Sequence, residues 1–189
     1  YTPTNPGASF TDRFQYRTVK DGHYSTATTV EIIWRGPNTA PVLIPTAPDL
    51  GEIDDQAIPL IRTVGALLGE NAADADGDEI GLALLATTTP GGDWSYSLDG
   101  IAWHAMPVGL ATANALLLAP AAKLRFTPNA GDAGDAQLVF KAWDGTSGAP
   151  GTQLDAGIAG GTAAVSAETD TATLHIGLDV PAPSEVWVG

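Results

Sequence analysis

The sequence predicts an all-β protein built from short strands. Apolar and polar residues alternate in five segments rich in β-branched and aromatic side chains, a pattern typical of half-buried strands. These segments are residues 14–18, 26–32, 124–126, 138–142 and 171–176. Asp-Gly and Pro-Gly-Gly turn signals separate them, and short strands at such spacing favour a β-sandwich.

Little helix is predicted. The best helical segment, residues 64–68, contains Gly65 and is followed by Gly69, so we expect one turn at most. Residues 145–170 consist mostly of Gly, Ala, Thr and Ser, with few large apolar side chains. We therefore expect this segment to form a long surface loop.

Length, charge and composition exclude several classes of protein. The chain has 189 residues, which is enough for one large domain or two small ones. Eight Lys and Arg against 22 Asp and Glu give a net charge of −14, which is unsuited to binding nucleic acid or an anionic membrane. The absence of cysteine excludes disulfides, thiol nucleophiles and Cys-type zinc sites. No apolar run is long enough for a membrane span, so we expect no membrane insertion.

A strand–turn–strand unit occurs twice in the chain, and this repeat predicts its domain organisation. Tyr16 and the Asp21-Gly22 turn match Phe140 and the Asp144-Gly145 turn, and Tyr-Thr-Pro at residues 1–3 matches Phe-Thr-Pro at residues 126–128. We expect three segments: the C-terminal strands of an incomplete first module (1–37), a complete module (38–179), and a linker or first strand of a next module (180–189). Because two strands alone are marginally stable, the first segment is expected to pack on a further segment or a neighbouring molecule.

An acidic loop at residues 73–79 is the strongest candidate site. Asp74, Asp76 and Asp78 alternate around Gly77, so that several carboxylate oxygens can face one centre. Ca²⁺ binds six to eight oxygen ligands, which favours a calcium site here; a solvated acidic turn and a Mg²⁺ site are the alternatives. The loop is not an EF-hand, because no Glu follows at the required offset and no helices flank it.

The order of these motifs resembles the cadherin-like repeats of large, repeat-rich bacterial adhesins of the RTX type. The resemblance rests on Asn-Thr-Ala-Pro-Val at 38–42, Asp-Ala-Asp-Gly-Asp at 74–78 and a strand that ends at Asp144-Gly145. It implies Greek-key, immunoglobulin-like β-sandwich modules in tandem, with Ca²⁺ at the junction between modules. The ligands that it implies are Asn38, Asp74, Asp76 and Asp78, with Asp12 and Asp21 from the first module. The linker lacks the acidic cluster of animal cadherin linkers, which leaves the number of ions open.

The function implied by this resemblance is a non-enzymatic extender segment of a secreted adhesin at the bacterial cell surface. Its expected partners are adjacent modules of the same chain or a neighbouring protomer. Catalysis is not expected, because His23, His104 and His175 are isolated in the sequence and no nucleophile elbow, phosphate-binding loop or dinucleotide fingerprint occurs.

Other functions stay open at this point. Trp94, Tyr96 and Trp103 flank the Asp-Gly turn at residues 99–100 and are candidates for a carbohydrate-binding platform. Cross-strand packing inside a sandwich is the simpler interpretation of the three aromatic residues. A subunit of an extracellular filament or surface layer, and a non-catalytic domain of a large secreted enzyme or toxin, are further alternatives.

Overall fold

The computed structural model describes residues 10–178, which form two compact units that divide between Asn38 and Thr39. These residues are almost entirely strands, turns and loops, as predicted for an all-β protein. None of the helices in this part of the chain has the length and apolar character needed to cross a membrane. The predicted repeat segment 1–3 and the predicted linker 180–189 lie outside the described residues.

The first unit is an antiparallel hairpin that carries a smaller hairpin. Its strands are β1 (Phe10–Tyr16), β2 (Val19–Lys20), β3 (His23–Tyr24) and β4 (Thr28–Trp34). β1 pairs with β4, and β2 pairs with β3 through the Asp21-Gly22 turn, where φ is 49° at Asp21 and 77° at Gly22. These positive φ values are the conformation for which Asp-Gly is favoured in tight hairpins. Residues 11–29 are exposed along both faces, and their cover by a further segment stays a prediction.

The second unit contains two larger sheets and one small one. Its strands are β5 (Val42–Leu43), β6 (Asp49–Asp54), β7 (Leu60–Thr63), β8 (Ala72–Ala73), β9 (Gly81–Thr88), β10 (Gly92–Ser97), β11 (His104–Ala105), β12 (Ala115–Leu118), β13 (Lys123–Pro128), β14 (Gly134–Trp143), β15 (Gln153–Leu154) and β16 (Asp170–Gly177). Four strands form one sheet in the order β11-β10-β13-β7, and six form another in the order β15-β12-β9-β14-β16-β6. β5 pairs with β8, and β16 pairs in parallel with β6.

The main hydrophobic core lies between the two larger sheets. Leu124 and Phe126 of β13 and Leu84 of β9 are fully buried in it, together with Leu138 and Phe140 of β14. Burial alternates along β13 and β16, as expected for strands with one face in a core. Two sheets that share one core give the unit a sandwich-like architecture, whereas Greek-key connectivity and tandem modules stay predictions.

The outer face of the six-stranded sheet is covered by residues 145–169. Ala156 and Val165 from this segment pack with Leu117 and Trp143 of the sheet, and Lys141 Nζ donates a hydrogen bond of 3.0 Å to the carbonyl of Ser166. Most of the segment is exposed and lies outside strands, as expected for a surface loop, but Ala156 and residues 164–166 are buried. The small side chains of the segment let its backbone approach the sheet closely at these points.

A short helix leads from the four-stranded sheet towards the acidic loop. α1 (Val64–Leu68) occupies the predicted position, and the Thr63 hydroxyl caps it by accepting a hydrogen bond of 3.2 Å from the Ala66 amide. Gly69 ends the helix with φ of 54°. Strand β8 follows within a few residues and enters the acidic loop directly.

Candidate metal site

The acidic loop connects β8 to β9 and folds around the carboxylate of Asp74. Asp74 Oδ1 accepts hydrogen bonds from the backbone amides of Asp76 at 2.7 Å and Asp78 at 3.3 Å. Gly77, with φ of 77°, provides the left-handed residue that the turn requires. As a result, one carboxylate oxygen from each of Asp74, Asp76 and Asp78 lies within 4.8 Å of the others. The structure therefore brings together the three aspartates that the sequence singled out.

The second carboxylate oxygen of Asp74 is in an environment that favours a bound cation. Asp74 Oδ2 is buried and has no hydrogen-bond partner among residues 10–178. A buried carboxylate oxygen without a donor is costly, and a hard cation that prefers oxygen ligands would remove that cost. The donor set consists entirely of oxygen atoms, which suits Ca²⁺ or Mg²⁺ and does not suit a soft metal.

Asp76 connects the acidic loop to the start of the second unit. Its Oδ2 atom accepts a hydrogen bond of 2.7 Å from the backbone amide of Thr39. Ile44 donates to the carbonyl of Asn71, and β5 pairs with β8, so the same N-terminal segment lies along the approach to the loop. The acidic loop thus lies beside the N-terminal residues of the second unit.

The other predicted ligands belong to the first unit. Asp12 lies in β1, where its Oδ1 accepts a hydrogen bond of 2.8 Å from the Arg13 amide, and Asp21 lies in the turn between β2 and β3. Asn38 is the last residue of that unit. The participation of these three residues in a metal site stays a prediction.

The aromatic residues of the β10 region separate into two environments. Trp94 is 5% exposed and packs edge-on against Phe126 in the core, with the ring centroids 4.9 Å apart, so it is no surface platform. Tyr96 instead lies against the His104 ring at a centroid distance of 5.3 Å. Trp103 packs beneath the guanidinium of Arg125, whose carbon lies 4.1 Å from the ring centroid. Sequence reasoning missed Arg125, because only the pairing of β10 with β13 brings it to this hairpin.

The histidines form no catalytic constellation among residues 10–178. His23 lies in β3 of the first unit, and His104 lies in the edge strand β11 of the second. His175 Nδ1 lies 2.7 Å from Asp135 Oδ1 on the adjacent strand. This hydrogen bond raises the pKa of His175, with smaller contributions from the charges of Asp135, Asp49 and Glu52. The pair is exposed, and it cross-links two strands of the sheet.

Comparison with known proteins shows a distant structural similarity. No protein-family model and no curated protein matches this chain. Among solved structures, the chain is similar to the endo-fucoidan hydrolase MfFcnA4 from glycoside hydrolase family 107, with 18% sequence identity and a TM-score of 0.38. The match covers 94% of this chain and 20% of that one. A TM-score this low supports no inference about fold or activity.

Proposed function

We propose that this chain is a non-enzymatic extender segment of a secreted bacterial surface adhesin, stiffened by Ca²⁺. The observation that carries the proposal is the convergence of Asp74, Asp76 and Asp78, together with the buried, unpartnered Oδ2 atom of Asp74. The resemblance to cadherin-like repeats supplies the biological context, an extended protein outside the cell. In that context the segment holds a binding domain at a distance from the cell surface.

Electrostatics favours a cation in the acidic loop. Three carboxylates with oxygens within 4.8 Å repel one another in the absence of a counter-charge, and the whole chain carries a net charge of −14. Extracellular modules commonly bind Ca²⁺ with dissociation constants of about 10⁻⁴ to 10⁻³ M, which is the range of external calcium. The loop would therefore be loaded outside the cell.

The proposed stiffening acts on the segment that begins at Thr39. Because Asp76 accepts a hydrogen bond from the Thr39 amide, an ion that immobilises Asp76 also immobilises the first residue of the second unit. Asn38 directly precedes this residue, and the proposal includes Asn38, Asp12 and Asp21 as the ligands that the preceding unit contributes. Adjacent modules of the same chain or a neighbouring protomer are the corresponding partners.

Thermal unfolding with and without calcium tests the metal site. A ligand at a hundredfold excess over its dissociation constant stabilises the native state by about 2.7 kcal/mol, which corresponds to about 5 to 10 °C in Tm for a unit of this size. We expect Tm to rise by this amount between chelator and saturating Ca²⁺. The double variant Asp74→Asn with Asp76→Asn is expected to lose the response.

The matched control carries Asp132→Asn with Asp155→Asn, which changes the net charge equally at two exposed aspartates outside the loop. It should keep the full response to calcium. Identical melting curves for the unmodified chain in chelator and in Ca²⁺ would refute the metal site. Small-angle scattering tests the stiffening separately. If calcium binds but the distribution of interatomic distances in the chain does not narrow, the calcium site is retained and the extender function is refuted.

A further inference from the structure

A groove crosses the outer face of the four-stranded sheet, on the side opposite the core. It has a volume of about 640 Å³. The strand register builds it, because Asp93 pairs with Thr127 and Ser95 pairs with Arg125 across β10 and β13. Residues that precede and follow β10 and β11 complete the walls, and the full lining is Thr87, Thr89, Asp93, Trp94, Ser95, Trp103, His104, Ala105, Met106, Pro107, Arg125 and Thr127.

The guanidinium of Arg125 is held in a fixed position at this groove. It lies over the Trp103 ring, with its carbon 4.1 Å from the ring centroid, and its Nε donates a hydrogen bond of 3.1 Å to Ser95 Oγ. Stacking and the Nε bond together orient the plane of the group and leave its terminal nitrogens for another acceptor. Within residues 10–178, no carboxylate approaches Arg125 closely enough to form an ion pair.

Positive charge in the second unit is concentrated on this sheet. Residues 39–178 contain four basic side chains, which are Arg62, Lys123, Arg125 and Lys141. Lys141 is buried beneath the segment that covers the other sheet, whereas the remaining three belong to β7 and β13. A preorganised arginine with no ion-pair partner, in a chain with so many carboxylates, indicates that an anionic group from outside the chain is its partner.

The groove lining specifies what carries that anionic group. Asp93, Ser95 and Thr127 provide side-chain hydrogen-bonding groups in this lining, and Thr87 and Thr89 provide two further hydroxyl groups. Such a lining matches a ligand with many hydroxyl groups, while Met106 and Pro107 provide apolar surface for the carbon faces of a sugar ring. Asp93 opposes a densely charged polyanion such as nucleic acid, so the ligand must combine few charges with many hydroxyls.

We propose that this groove binds an acidic saccharide. Its carboxylate or sulfate pairs with the terminal nitrogens of Arg125, a contact that guanidinium makes with two parallel hydrogen bonds. Its hydroxyl groups bond to Asp93, Ser95 and Thr127. This site is separate from the acidic loop, and the proposal does not depend on calcium or on the extender function.

Calorimetric titration of the full chain with three oligosaccharides of equal length tests the proposal. The probes are a galactan oligosaccharide that carries a single carboxylate as one galacturonate unit, the same oligosaccharide with a single sulfate instead, and the neutral oligosaccharide, so that carboxylate, sulfate and uncharged hydroxyls are compared on similar sugars. We expect at least one acidic probe to bind at least about tenfold more tightly than the neutral one, and the stronger of the two identifies the anionic group. Equal affinity for all three probes, or no binding of either acidic probe, would overturn the proposal.

Two variants and one control assign the binding to the groove. Arg125→Gln and Arg125→Lys should each lower the affinity for the acidic probe by about tenfold, because neither side chain can make the bidentate contact. Arg125→Lys tests this without a change of charge. Arg62→Gln is the matched control, since it removes the same charge from β7 at a position that does not line the groove. An equal loss of affinity in the Arg62 variant would show that only general charge attraction is at work and would refute the site.

Discussion

The carboxylate of Asp170 offers the sharpest test of how the start of the second unit is held. This residue is 5% exposed, and its two oxygens accept hydrogen bonds from the amides of Thr46 at 2.9 Å and Ala47 at 3.0 Å. Asp170 Oδ1 also accepts from the amide of Thr171 at 2.7 Å. A single side chain on β16 therefore fixes a segment more than 120 residues earlier in the chain.

Asp170→Ala removes both acceptor oxygens and therefore all three hydrogen bonds at once. Hydrogen bonds to a charged group contribute about 1.5 to 3 kcal/mol each, but the amides of Thr46 and Ala47 lie in exposed residues and can be rehydrated. We therefore expect the free energy of unfolding to fall by about 2 to 3 kcal/mol, the equivalent of one to two of these bonds.

Urea unfolding followed by tryptophan fluorescence measures this change, because Trp94 and Trp143 are buried in the same unit. Asp155→Ala is the matched control: the residue is exposed and accepts one local bond of 2.8 Å, from Gly157, so the expected loss is below about 1 kcal/mol. If both variants unfold at the same urea concentration, the bonds of Asp170 do not contribute to stability, and the reasoning fails.

Two further predictions concern the six-stranded sheet. The hydrogen bond to Asp135 raises the pKa of His175, so its contribution to stability is complete below the unfolded pKa of about 6.5 and is lost as pH rises through the folded value. Tm should decline over that interval, and Asp135→Asn should flatten the decline; an unchanged profile contradicts this. Lys141→Met should increase hydrogen exchange at the Ser166 amide by about tenfold, because the carbonyl of Ser166 loses its charged donor. Unchanged exchange would show that Lys141 does not hold the covering segment.

Strands with one buried face could be predicted from the sequence, whereas strands buried on both faces could not. β4 and β16 alternate in burial, and their sequences alternate in the same way. β12 and the first six residues of β9 are continuous apolar runs in two interior strands of the six-stranded sheet, and every residue of β12 is buried. Such runs carry no period of two, because the segment that covers the outer face removes the need for polar residues there.

The two candidate sites differ in the same respect. The acidic loop is local: its three aspartates occur within five residues, so the spacing alone indicates a cluster. The groove is not local, because Trp103 and Arg125 are 22 residues apart and meet only through strand pairing. A single arginine in a strand does not indicate a binding site from sequence alone. Arg125 becomes a candidate only because the strand register places it beside Ser95 and over an aromatic ring.

The first residues of the second unit owe their position largely to acceptors elsewhere in that unit. The amide of Thr39 donates to Asp76, the amide of Ala40 to the carbonyl of Gly161, and the amides of Thr46 and Ala47 to Asp170. Only the two residues of β5 pair as a strand before β6 begins. Because the two-residue pairing of β5 with β8 resists little force, tension applied at Thr39 would act first on the hydrogen bond to Asp76. In the proposed function, calcium bound to the acidic loop would reinforce this contact at the point where a load on the extender segment acts first.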